Sequence, residues 1–335
     1  MIELLNLLLL FAPLFLIVGL ANLAEGAREH EKPFQGLAIA GYLLLSLLYL
    51  AAILIGLSLE TVLAALDTTF QPDSLSLLTA GLWIPGLVGI LLLLPPVRRL
   101  LSYVTNIDPG SPVHAVALSL TMLVLVNLFV TLGIGLGNLA ESLAAQGEAG
   151  AAATTTLGLW LQQIFTALLA LVGVGWLTRR DWRQALQRLG IVKPTVRQLL
   201  IGFFLGLLMV PVIMVIEQLA GYYNIGMDEN VSDLTEQLLG SVLTTPFGIF
   251  TIGAAAALGE ETIFRGAIQP RFGLVLTALL FALVHSNYGL TLSTLIVFVV
   301  GMILGLLRKR YNTTTSMMMH ATYNIALALL TTLGI

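Results

Sequence analysis

Apolar stretches long enough to span the hydrocarbon core of a bilayer recur along this whole chain and leave few folds open to it. A membrane-crossing helix needs ~20 predominantly apolar residues. About ten stretches qualify: 4–24, 34–59, 75–94, 113–135, 157–177, 199–220, 246–271, 274–285 and a little beyond, 290–307, and 314–333. In lipid every backbone polar group must be satisfied internally, which leaves helices and closed barrels. Runs this long, with no alternation of polar residues, read as helices. The expected fold is all-α, a polytopic transmembrane bundle of about ten spans. Charged residues are 10% of the 335 and hydrophobic residues 58%, whereas a soluble domain carries ~25% charged residues. No basic segment precedes 4–24, so it is read as a retained span and not a cleaved signal peptide.

The basic residues test the span count independently. All fifteen Lys and Arg fall in or beside alternate connections. They are Arg28 and Lys32, then Arg98 and Arg99, then the run from Arg179 to Arg197, then Arg265 and Arg271, then Arg308 to Arg310. The intervening connections hold only acids, among them Glu60, Asp67, Asp73, Glu141, Glu148, Asp228, Glu229, Asp233 and Glu236. The positive-inside rule places the basic connections in the cytosol and both termini on the non-cytoplasmic side. The break between halves falls at the basic segment before 190. It gives a five-span region over 1–190 and a second region over 191–335. Within the segment from Arg179, the spacing of Trp182, Leu186 and Leu189 predicts a short surface helix. Val231, Leu234 and Leu238 suggest another in the acidic run.

Chemistry concentrates in the second region. Three charges, Glu260, Glu261 and Arg265, stand within six residues of an otherwise apolar span. Ionisable groups at such depth face a protein interior or a wet cavity. Glu261 and Arg265 are i and i+4 and can pair. Glu260 points ~100° away, following the helical turn. A buried ion pair that locks packing would explain Glu261 and Arg265 alone. Two histidines lie in the following apolar stretches, in Phe281-Ala-Leu-Val-His285 and His320-Ala-Thr-Tyr-Asn324. With a turn near Gly273, Glu260 and His285 stand nearly level on antiparallel helices. Asn324 is one turn beyond His320 on the same face. Asn127, in mid-span, reads as an interhelical hydrogen bond. The zero cysteines exclude thiol catalysis and thiolate metal sites. Phosphate-loop, H-E-x-x-H and G-x-S-x-G signatures are absent, and nothing suggests nucleic-acid binding.

Glu260-Glu261-x-x-x-Arg265, Phe281-x-x-x-His285 and His320-x-x-x-Asn324, in that order, resemble the three motifs of the CPBP intramembrane endopeptidases. That group includes the type II CAAX prenyl endopeptidases and bacterial relatives linked to bacteriocin maturation and self-immunity. The resemblance covers 246–330 and places the active site in the C-terminal half. It implies a protease of a bacterial inner membrane acting on membrane-associated proteins or peptides, lipidated or not. It further implies that Glu260, partnered by His285, activates water, that His320 and Asn324 hold the oxyanion, and that Glu261 with Arg265 orients the helix and shares in the site. A metal-independent, glutamate-type mechanism is the expectation. Zinc held by Glu260, His285 and His320 is the alternative, since two His and one Glu form a known catalytic set. Two other classes stay open on the residues alone. One is a non-proteolytic scaffold or immunity protein; the other is a proton-coupled transporter. Oligomeric state has no signal in the sequence.

Overall fold

A computed structural model describes residues 2–66, 71–145, 156–223 and 225–334. Two of the acidic residues named above, Asp67 and Glu148, lie outside these. The helices in order are α1 Ile2–Glu29, α2 Gln35–Leu66, α3 Leu75–Leu92, α4 Pro95–Leu101, α5 Pro112–Leu120, α6 Met122–Ile134, α7 Leu136–Ala145 and α8 Thr156–Gly173. There follow α9 Trp182–Leu189, α10 Val196–Tyr223, α11 Glu229–Leu243 and α12 Pro246–Glu260. A π-helix, Glu261–Ile268, continues α12 into α13 Gln269–Phe272. The chain ends with α14 Leu274–Leu283, a 3₁₀ turn at Ser286–Tyr288, α15 Leu292–Arg310 and α16 Thr313–Thr332. Among the described residues there is no β-strand.

Eight of these segments are long and apolar enough to cross a membrane. This corrects the expected ten at two places. Helix α14 has only 10 residues, ~15 Å at 1.5 Å per residue, half the ~30 Å hydrocarbon core. Helix α16 has the length, 20 residues, but falls outside the eight. It opens on Thr313-Thr314-Thr315-Ser316 and buries Thr313, Thr315, Ser316, His320 and Thr322 against protein. Both exceptions belong to the polar centre of the bundle.

The helix ends follow local chemistry. Ser74, Ser111, Thr245 and Asn312 each accept a backbone N–H from the first turn they precede, the usual N-cap contact. Pro112 and Pro246 occupy first positions, where a missing N–H costs nothing. Gly273 turns the chain from α13 into α14 with φ of 84°, a region closed to most side chains. The short helix foreseen after Arg179 is α9, closed by a capping box between Asp181 and Gln184. Its buried stripe is Ala185 and Leu189, while Trp182 is half exposed and meets Trp176 edge-on at 5.3 Å. The acidic run forms α11, whose Val231, Leu234 and Leu238 pack on Leu136 and Ala140 of α7.

The alternating connections gather at opposite ends of the bundle. At one end Arg28 pairs with Asp108, Arg179 with Glu29, and Asn106 N–H donates to Arg271 O. At the other, Asn138 donates to Asp73, and Leu292 N–H to Gly226 O. Close packing of α16 depends on small neighbours. A Cβ at Gly202 or Gly206 of α10 would meet α16 backbone at 2.8 or 2.6 Å, an intramolecular use of small-xxx-small spacing. The largest buried cluster joins Phe264, Phe281, Leu304 and Met319 with Leu92, Leu118 and Met209, so it lies around the C-terminal charges.

Candidate active site

Helix α12 winds through 15 residues with no charge before Glu260, and the π-helix begins at the next residue. A π-turn adds about one residue to a helical turn and recurs at functional sites. Here it lets two consecutive carboxylates serve different partners. Glu261 is wholly buried, and its Oε1 stands 3.2 Å from Arg265 Nη1 and 2.9 Å from His320 Nδ1. The guanidinium of Arg265, also buried, donates to Gly301 O at 3.3 Å and lies over the ring of Phe281 at 4.0 Å. A charge this deep needs partners. A carboxylate, a carbonyl and an aromatic face supply them.

Glu260 turns the other way. Gln163 Nε2 of α8 donates to its Oε1 at 3.3 Å. Its Oε2 has no hydrogen-bond partner among the described residues. That atom is 3.8 Å from His285 Nε2 and 4.0 Å from His320 Nε2. The His320 ring therefore sits between the two carboxylates, Nδ1 toward Glu261 and Nε2 toward Glu260. His285 follows the end of α14, its Nδ1 on Phe281 O at 2.7 Å and its ring stacked 5.9 Å from Tyr288. Phe281 presents its edge to both imidazoles, at 5.0 and 5.9 Å between centroids. Glu260 and His285 keep 17% and 24% side-chain exposure, against 5% for His320. The group is thus open on the Glu260–His285 side and closed on the Glu261–Arg265 side.

Of the residues singled out in the sequence, Glu260, Glu261, Arg265, His285 and His320 converge. Asn324 stands apart: its amide donates to Ile252 O of α12 at 3.5 Å and touches neither carboxylate. Among the described residues, no group of three or more His, Asp or Glu has an arrangement that would hold a metal. The Glu260, His285 and His320 donors do not close to zinc-ligand spacing, ~2.0–2.2 Å from a common centre.

Three contributors escaped the sequence reading. Gln163 is one of two consecutive amides, Gln162 and Gln163, in an otherwise apolar span, and that pair was the available signal. Gly259 makes room for it: a Cβ there would fall 2.0 Å from Gln163 Oε1. Ser286, just after His285, is held by Asn127 Nδ2 at 2.8 Å and faces Thr131 Oγ1 at 3.0 Å. Non-helical backbone at membrane depth survives only when protein encloses it, and α6 supplies that enclosure. Asn127 is the interhelical bond its position suggested.

Residues 242–326 match the family model described as type II CAAX prenyl endopeptidase Rce1-like. No curated protein and no solved structure gives a significant match to the chain. The matched segment runs from the end of α11 into α16 and holds all six residues taken from the sequence. Eight bilayer-length apolar helices surround and include it, so the chain is an integral membrane protein. Through residues 242–326 it belongs to the Rce1-like type II CAAX prenyl endopeptidase family.

Proposed function

We propose that this protein is an intramembrane endopeptidase in which Glu260 and His285 activate a water for attack on a peptide carbonyl. One juxtaposition carries the reading: the unpartnered Oε2 of Glu260 faces Nε2 of both His285 and His320, at 3.8 and 4.0 Å. Such separations exceed a direct hydrogen bond and suit a single intervening water.

The tautomers follow from the partners. Phe281 O can only accept, so His285 Nδ1 carries the proton and its neutral ring offers a lone pair at Nε2. A water between Glu260 and His285 then meets two acceptors and gives each a hydrogen. Its oxygen lone pair is left for the carbonyl carbon. As the new C–O bond forms, the water proton passes to the Glu260–His285 pair and the carbonyl π electrons move to oxygen. The same proton goes to the amide nitrogen as the C–N bond breaks, releasing a carboxyl and an amine. His320 in its protonated form balances the nearby charges, since Arg265 offsets only one of two carboxylates. It would donate to the developing oxyanion. Asn324 is the proposed second donor, after release of its long bond to Ile252 O. Glu261 with Arg265 orients His320.

The substrate class we propose is a peptide or protein tail of the membrane surface, entering from the basic face. That face is assigned to the cytosol by its arginines, with both termini opposite. Whether the tail carries a prenyl group is decided by comparative peptidomics of membranes holding wild type or Glu260→Gln. Peptides that disappear only with the variant define the cleavage site and any lipid on it. An unchanged peptidome from correctly inserted variant would end the endopeptidase reading. Mass spectrometry of active, chelator-washed protein checks the metal-free mechanism. Stoichiometric zinc that tracks activity would replace it.

A further inference from the structure

A second cavity, of about 520 Å³, opens between α1, α5, α8, the π-helix and α14 at the basic end of the bundle. Its volume is that of a small-molecule site. Glu260, His285 and His320 do not line it. The π-helix separates the two places, turning Ile263, Phe264 and Ala267 toward the cavity while Glu261 and Arg265 face the other way. The body is apolar, with Val18 and Leu169 opposite Ile263.

The mouth is cationic. Five arginines line the cavity, against three carboxylates, Glu25, Glu29 and Asp108. Those carboxylates are already engaged by Arg28 and Arg179. Among the described residues, Arg180, Arg188 and Arg271 have no carboxylate within 4.0 Å. Arg180 donates to Val174 O and Arg188 to Gly266 O, so backbone carbonyls alone receive them. Burial, with the guanidiniums of Arg271 and Arg180 close by, lowers Arg188 to about 10. Burial and Arg179 lower Arg180 as well. Like charges gathered at the edge of an apolar cleft are stabilised by an anion, and guanidiniums take phosphate through paired N–H groups.

We propose that this cavity binds one anionic phospholipid, its phosphate among Arg180, Arg188 and Arg271 and an acyl chain in the apolar body. Basic pockets between transmembrane helices recognise acidic headgroups in this way. Inorganic phosphate would leave the apolar body unfilled, and a zwitterionic headgroup would bring a cation against three others. The site is distinct from the catalytic group, so it does not depend on the proposed proteolysis.

The test is native mass spectrometry of the full chain in neutral detergent, titrated with phosphatidylglycerol, phosphatidylcholine of the same chains, and inorganic phosphate. One phosphatidylglycerol should bind per chain, and Arg188→Gln with Arg271→Gln should weaken it about 25-fold, at about 5-fold per arginine. Phosphatidylcholine binding should not change in that variant. Ala170→Phe, which fills the cavity and keeps every arginine, should also lose phosphatidylglycerol. Equal binding of the two lipids by the wild type overturns the proposal without reliance on any variant. So does displacement of phosphatidylglycerol by equimolar inorganic phosphate, which would mark an ion site and no lipid site.

Discussion

Two of the crossings, Gln35–Leu66 and Pro246–Phe272, look alike as sequence and have opposite surroundings. In the first, 22% of the central window is buried within the protein; in the second, 56%. The buried one is the least apolar of the eight crossings. Water-soluble proteins reverse that order. Lipid accepts leucine as readily as a core does, so apolarity does not decide which helix goes inside. Polar groups decide it, because they must be enclosed. Helix α2 accordingly spreads Leu43, Leu47, Leu50, Leu54 and Leu57 outward. Helix α12 buries Gly248, Thr251, Gly253, Ala255 and Ala257, letting α8 and α16 approach Glu260 closely.

Substitutions in the two crossings can break or sharpen this contrast. The largest effect belongs to Glu260→Gln: hydrolysis of a membrane peptide in proteoliposomes should fall ~10²–10⁴-fold, with the melting temperature in detergent unchanged. Retained hydrolysis would reduce the span to a packing element. Arg265→Met comes next, because it strands the buried Glu261. Unfolding in detergent should show a loss of about 3–5 kcal/mol, and adding Glu261→Leu should restore much of it. Gly259→Val should cost about 1–3 kcal/mol by overpacking against Gln163. It should also lower kcat more than it raises KM, as Glu260 loses its amide partner, and Gln163→Ala should relieve the stability loss but not the kcat loss. Leu47→Ala on α2, at a side chain 61% exposed, should change stability by no more than about 0.5 kcal/mol. A large effect there would mean that α2 has a protein partner.

The sequence displayed much of this arrangement. Span length, alternating basic connections and the Gly273 turn are local or periodic features, and they survive into the structure. The motif residues were legible because charge in an apolar run is conspicuous. The half-length of α14 was not, since apolar residues continue through Val284 whether or not the helix does. The loop after His285 is fixed by Asn127 and Thr131, more than 150 positions away, and no local pattern reports such a contact. Gln163 was visible as an amide in lipid-like surroundings. Its pairing with Glu260 spans 97 positions and needed coordinates. Asn324 shows the converse: sharing a face with His320 fixed its direction around α16, and packing against Ile252 fixed its partner.

The wide winding from Glu261 to Ile268 constrains how this protein can change over generations. Deleting one residue there would restore ordinary α-geometry and swing every later position by ~100° about the axis. Gly273 would then aim α14 elsewhere, and His285 would leave Glu260. Replacements in this stretch can therefore be absorbed one at a time, while a change in its length removes the whole constellation in a single step.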